Sequence, residues 1–352
     1  MTQAELGRLI DRSAASIASY EKATARCAPH PDVLLEIAER LGRAPHYFLR
    51  SVSEARPVQE IHWRARQKAS MRLRHQVEAL ADDVIEVVDA LEDDGRLQPF
   101  DLDLGRSDFG NVSPDDLAKL CRSRWGLGRS PIPNVVDLLE SRGIPVIELR
   151  LPYREQVPAD AFTKWTPNER PVVFIVSRDQ EPSGARCRQR LSLLHELKHI
   201  ITDAHVESGD KDLEQNANNF AGAMLLPEGA WSSEFPRAMS LTYLLQLKLR
   251  WRASAKAMVY RASRLGMLSS STATRYYIEM SQRWPGGEPA ESEPPVEIRR
   301  LVSGALSARS ATLAFPCIAD DLGMTIQSLT TLASDGSYGP PGMLESPAAK
   351  SQ

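Results

Sequence analysis

Apolar positions in the first fifty residues, Leu6, Leu9, Ile10, Ile17, Leu34, Leu35, Ile37, Ala38 and Leu41, recur near helical spacing, so this stretch is expected to be helical. Residues 62–92 predict one long helix, basic at its start (Arg64, Arg66, Lys68, Arg72, Arg74) and acidic afterwards (Asp82, Asp83, Glu86, Asp89). A charge run of this kind usually marks a solvated face, with a nucleic-acid surface as the alternative. After a loop from Gly95 to Gly110, SPDDLAKLCRSRWGL restarts a helix, with Ser113 as N-cap and Pro114 in the first turn.

The pattern changes from Pro131. PNVVDLLESRG ends a helix at Gly143, and GIPVIELRL, DAFTKW and RPVVFIVS follow as short apolar or alternating runs, which predict three strands. Two helices come next, near 184–203 and 212–226, the second stopped by Pro227. Strands followed by a helix pair predict an α+β fold: a mainly helical chain with a small domain of a short sheet and two helices, flanked by helical modules. Residues 240–282 are helical in pattern, WPGGEPAESEPP from Trp284 to Pro295 marks a linker assigned to 286–297, and 298–333 reads as a small helical module. Within that module IADDLGMTIQSLTTL has the look of a second helix-turn-helix remnant, and 334–352 is expected to be disordered.

At 352 residues the chain is too long for one ordinary core, and 42% hydrophobic with 25% charged residues suits globular folding. A net charge of −3 gives no global attraction to nucleic acid, so any such contact needs a local patch. No window approaches the roughly 18 unbroken apolar residues of a membrane span, and no secretory leader is visible, so a cytoplasmic location is expected. Cys27, Cys121, Cys187 and Cys317 form no CxxC pair and are expected to be reduced and structural.

The stretch LSLLHELKHIITDAH carries the chemistry. His195 and His199 are four residues apart, so on a helix both imidazoles leave one face and can share a tetrahedral zinc. Glu196, rotated from them by about 100°, suits a base that takes a proton from water rather than a ligand. The alternative is a hydrogen-bonded core cluster, although a buried Glu between two His is costly without partners. Two residues compete as third ligand. His205 nearly completes HExxHxxGxxH, but Thr202 stands where that pattern needs Gly for its turn. Glu214 opens EQNANNFAGAMLLP, whose Ala217 and Ala221 would let the next helix approach closely; it can equally be a helix-starting glutamate favoured by the dipole. Tyr153, Arg186 and Arg190 are in sequence reach of an oxyanion role, and spacing does not choose among them.

RQRLSLLHELKHI followed by EQNANNFAGAMLLP resembles the ImmA/IrrE family of zinc metallopeptidases, whose hallmark is an HExxH helix followed by ExxANxFA and LxP. The three strands, WGLGRSPIPNVVDLLESRG before them and LKLRWRASAKAMVYRASRLGMLS after them, extend the likeness over most of residues 111–285. The resemblance implies a small zincin-like, gluzincin-type domain with His195, His199 and Glu214 as zinc ligands and Glu196 as catalytic base. Lys198 departs from the family, which commonly has Gly there; it is expected to extend to solvent or pair with an acid such as Asp203, and it puts turnover in doubt. In front, TQAELGRLIDRSAASIASYE and PDVLLEIAERLGRAPHYFL are similar to parts of a Cro/CI-type (Xre-like) helix-turn-helix, without a counterpart of its first helix, so residues 1–50 are expected to be a truncated module, with 58–110 as a helical linker. Its would-be recognition helix offers Ala14, Ala15, Ser16 and Ser19 rather than base-reading side chains, while Arg12 and Lys22 can hold phosphates. Weak DNA contact through residues 1–75 and a mere packing module both remain open. The family implies a regulatory endopeptidase that cleaves a DNA-binding repressor in a stress or phage-related response. The competing class is a transcriptional regulator or interaction module that keeps the fold as a scaffold or sensor.

Overall fold

The computed structural model describes residues 1–22, 28–49, 70–105, 109, 111–151, 160–178, 184–202, 210–235, 240–310 and 315–340. At the N-terminus α1 (Gln3–Leu9) starts in a capping box of Thr2 and Glu5, and α2 (Ala14–Tyr20) starts at Ser13, whose hydroxyl accepts from the Ser16 amide. A Cβ on Gly7 would meet the Arg12 carbonyl at 2.5 Å, so the tight α1/α2 corner requires glycine there. With α3 (Pro31–Leu41) these helices close a small core of Leu6, Ile10, Ile17, Val33 and Ile37.

The long helix α4 (Met71–Asp93) is capped by Ser70, whose hydroxyl takes the Leu73 amide. Of the expected 62–92 helix, residues 62–69, with Arg64, Arg66 and Lys68, lie outside the described residues. Nor is its acidic half simply a solvated face. Asp83 is buried, paired with Arg43 and accepting from the Tyr338 hydroxyl at 3.0 Å, and Asp82 pairs with Lys164. Leu73, Val77, Leu80, Val84, Val87, Val88 and Leu91 form a buried stripe, which makes α4 one layer of a core.

Next come α5 (Pro114–Arg124), capped by Ser113 with Pro114 in its first turn, and α6 (Val135–Glu140), capped by Asn134. The chain then forms β1 (Val146–Leu151), β2 (Ala161–Trp165) and β3 (Pro171–Arg178). Helices α7 (Ala185–Thr202), α8 (Lys211–Leu225), α9 (Glu228–Glu234), α10 (Leu241–Trp251), α11 (Ala255–Arg264) and α12 (Ser270–Arg283) follow. Last are α13 (Leu301–Ser310), α14 (Phe315–Leu322), α15 (Ile326–Asp335) and the two-residue β4 (Ser337–Tyr338). The fold is α+β and mainly helical, with one small mixed sheet.

Strand order is β2-β3-β1-β4, with β1 parallel to β3 and β4, and β2 antiparallel to β3. Alternation sends Val173 and Ile175 toward α7 and α8 and Val172, Phe174 and Val176 toward α4 and the C-terminal helices. The sheet is therefore the middle of three layers. Contrary to the expectation for residues 334–352, Ser337 and Tyr338 are ordered as an edge strand; residues 341–352 lie outside the described residues.

The Pro/Gly/Glu-rich stretch after α12 is anchored along its length rather than loosely spanning a gap. Glu288 and Glu293 close on the fully buried Lys248, and Glu297 accepts the Val135 and Val136 amides at 2.9 and 3.0 Å while pairing with Arg190. Buried Glu140 accepts the Arg300 amide at 2.8 Å, and burial pushes its carboxyl up to about 7. At the far side of the molecule, the α14/α15 corner at Gly323 receives the N-terminal module: the Ala44 amide donates to the Gly323 carbonyl at 3.2 Å. Cys121 and Cys187 are buried and free, Cys317 is exposed and free, and Cys27 lies outside the described residues. Among the described residues no helix is long and apolar enough to cross a membrane.

Candidate metal centre

The centre is built by α7, α8 and the edge strand β2. The apolar residues Leu193, Leu194, Leu197 and Ile200 bury α7 against the sheet and α8. α8 is started by Asp210, whose carboxylate accepts the Asp212 amide at 2.8 Å, and this sets Glu214 in its first turn. Ala217 and Ala221, both 0% exposed, keep α8 close to its neighbours.

That approach brings His195, His199 and Glu214 together. The two Nε2 atoms are 3.0 Å apart; Glu214 Oε2 lies 3.4 Å from His195 Nε2, and Glu214 Oε1 lies 3.5 Å from His199 Nε2. Donors bonded at about 2.0–2.2 Å to one tetrahedral ion are separated by about 3.3–3.6 Å. Both Glu214 contacts fall in that range and the two imidazole nitrogens sit somewhat closer, so the set comes near the dimensions of three corners of a zinc site. Two imidazole nitrogens and a carboxylate are also the donor types that zinc takes. His195 is buried, whereas the side chains of His199 and Glu214 are 22% and 27% exposed, so the cluster opens to solvent on one side.

Glu196 leaves the same helix toward β2, where the Thr163 hydroxyl donates to its Oε2 at 2.9 Å. Sequence reading does not find Thr163; the only signal is the alternation of DAFTKW, which puts residues 161, 163 and 165 on one face. Lys198 does not extend to solvent, since it is 6% exposed. Asp203, His205 and Tyr153 lie outside the described residues. Arg190 and Arg186 are engaged away from the centre. Arg190 donates to the Arg252 and Ile132 carbonyls at 3.1 and 2.7 Å and pairs with Glu297, and Arg186 donates to the Pro294 carbonyl at 3.0 Å. Burial pulls the Arg190 guanidinium down to about 10.

Residues 139–263 match the family model of the IrrE N-terminal-like domain, Peptidase_M78. The match spans the sheet's first three strands, α7, α8 and the helices to α11, and so contains every residue of the centre. No curated protein matches the chain.

Proposed function

We propose that the matched domain is a zinc-dependent regulatory endopeptidase, with His195, His199 and Glu214 as zinc ligands and Glu196 as general base. The observation that carries this reading is the convergence of three ligand-type groups near tetrahedral spacing on one side of a helix, with a held carboxylate one residue along. Zinc, when bound, supplies a Lewis acid that acidifies a water and polarises a carbonyl. Glu196 takes the proton of the attacking water and delivers it to the departing amine. The outer edge of β2 carries no strand partner among the described residues, so an extended peptide can add there by main-chain hydrogen bonds and bring a scissile carbonyl past Glu196. Pairing along a strand edge takes hold of the middle of a chain as well as its end, which favours endopeptidase over exopeptidase action.

The substrate in this proposal is a helix-turn-helix repressor, recognised with help from the Cro/CI-like helices of residues 1–50, in a stress or phage-related response. The test is zinc analysis of the purified chain, then incubation of the loaded protein with the DNA-binding repressor encoded nearest to it. Cleavage by wild type and not by Glu196→Gln supports the reading; an intact repressor beside a fully metallated protein counts against it. Lys198, buried beside the ligands where the family commonly has Gly, favours the second reading of a non-catalytic scaffold or sensor. In that case Glu196→Gln leaves the cellular response unchanged.

A further inference from the structure

Strand β2 and helix α7 run side by side in the same direction. Asp160, just ahead of β2, accepts from Arg188 Nε at 3.1 Å, and Thr163 donates to Glu196 at 2.9 Å. Three strand residues advance about 10 Å and eight helix residues about 12 Å, so the two contacts lie on one register. That register delivers the Thr163 hydroxyl to Glu196 and to no other member of the centre.

The contact is chemically specific. Thr163 has one hydroxyl proton, and it goes to Oε2 of a carboxylate whose residue is 9% exposed. A β-branched residue on a strand is stiff about χ1, and Thr163 is further fixed opposite Val173 of β3. On the next inward position of the same face, Trp165 packs edge-on against Phe100 with ring centroids 6.3 Å apart, which anchors this end of β2. A donor this rigid sets the carboxylate plane.

We infer that Thr163 is a positioning residue for the proton-accepting carboxylate: its hydroxyl holds Glu196 Oε2 and so fixes the plane in which the carboxylate meets the water that is to be deprotonated. This inference rests on the peptidase reading above and assigns within it the group that aims the base. It also ties the strand edge that receives an extended peptide to the chemistry, because one residue of that strand holds Glu196. Loss of the hydroxyl leaves the ligand set intact and removes this hold on the carboxylate.

The full-length chain is prepared as wild type, Thr163→Val, Thr163→Ser and Glu196→Gln, loaded with cobalt(II), and titrated with acetohydroxamate while the visible absorption of the metal reports binding. A hydroxamate chelates the metal and gives its proton to the general base, so its affinity reads the aim of Glu196 without a known substrate. Thr163→Val keeps the shape and the β-branch; it is expected to take up one equivalent of cobalt and to bind the hydroxamate about 10–100-fold more weakly, the worth of one hydrogen bond to a charged group. Thr163→Ser is expected to restore tight binding, and Glu196→Gln to weaken it at least as much as Thr163→Val. Once a cleaved substrate is in hand, the Thr163→Val loss falls on kcat with KM little changed. Should Thr163→Val fail to melt cooperatively, Thr163→Ala takes its place. Undiminished hydroxamate affinity in the variant lacking the hydroxyl, with Glu196→Gln impaired, overturns the role of Thr163 and leaves the peptidase reading standing. Failure of wild type to bind cobalt overturns both.

Discussion

The two halves of α7 bury charge in opposite ways. In the first half Arg190 is surrounded by what a cation wants: the Glu297 carboxylate and the carbonyls of Ile132 and Arg252. In the second half His195, His199 and Glu214 bring three electron-pair donors to one point. The first cluster is closed by the chain's own opposite charges. The second has the composition of a coordination shell, and a divalent cation satisfies all three groups at once. Along a single helix, the sign of what converges separates a structural cluster from a candidate site.

Substitutions can break this contrast from either side. The largest effect is expected for Arg190→Ala, which leaves Glu297 uncompensated against α6; denaturant unfolding is expected to show a loss of about 3–5 kcal/mol, with metal uptake per folded molecule preserved. A comparable loss of metal uptake would show that the two halves are not independent. On the other side, saturating zinc at about 1,000 times its Kd is expected to stabilise the protein by about 4 kcal/mol, seen as a rise in Tm reversed by a chelator and absent in Glu214→Ala. A zinc response that survives Glu214→Ala would remove Glu214 from the ligand set. Glu140 sharpens the comparison on the closed side. Its folded carboxyl titrates at about 7 against an ordinary 4.5, so the unfolded chain gives up its proton first as pH rises. Stability from this group is present below pH 4.5 and is lost as pH climbs to 7, by at most about 3 kcal/mol, and Glu140→Gln is expected to flatten that part of the stability profile. The smallest effect is expected for Asn134→Ala: about 1 kcal/mol or less, because Glu297 still accepts the Val135 and Val136 amides when the Asn134 cap is gone.

Much of this was legible in the chain itself. The alternation in RPVVFIVS, the capping of α5 by Ser113 and the HELKH spacing are local codes, and each is found where local periodicity predicts it. Glu214 was ambiguous from spacing alone because the choice depended on how closely α8 approaches α7, a tertiary quantity set by Ala217 and Ala221. What composition misjudged were residues whose partners are far away. Glu288 and Glu293 look like solubilising linker residues until Lys248 is seen between them, and two residues of β4 carry no periodicity at all; Ser337 and Tyr338 are a strand because β1 offers an edge. Thr163 belongs to the same class: nothing near it in the chain indicates that a helix residue needs its hydroxyl.

The short last strand bears on how the molecule is made. Tyr338 meets Asp83 across 255 residues of chain. At a synthesis rate of about 5–20 residues per second, α4 waits more than about 10 s before that hydroxyl exists. Until then the outer edge of β1 stands open on the ribosome and the apolar stripe of α4 has only the sheet to cover it, a template for stray pairing that a nascent-chain chaperone is suited to cover.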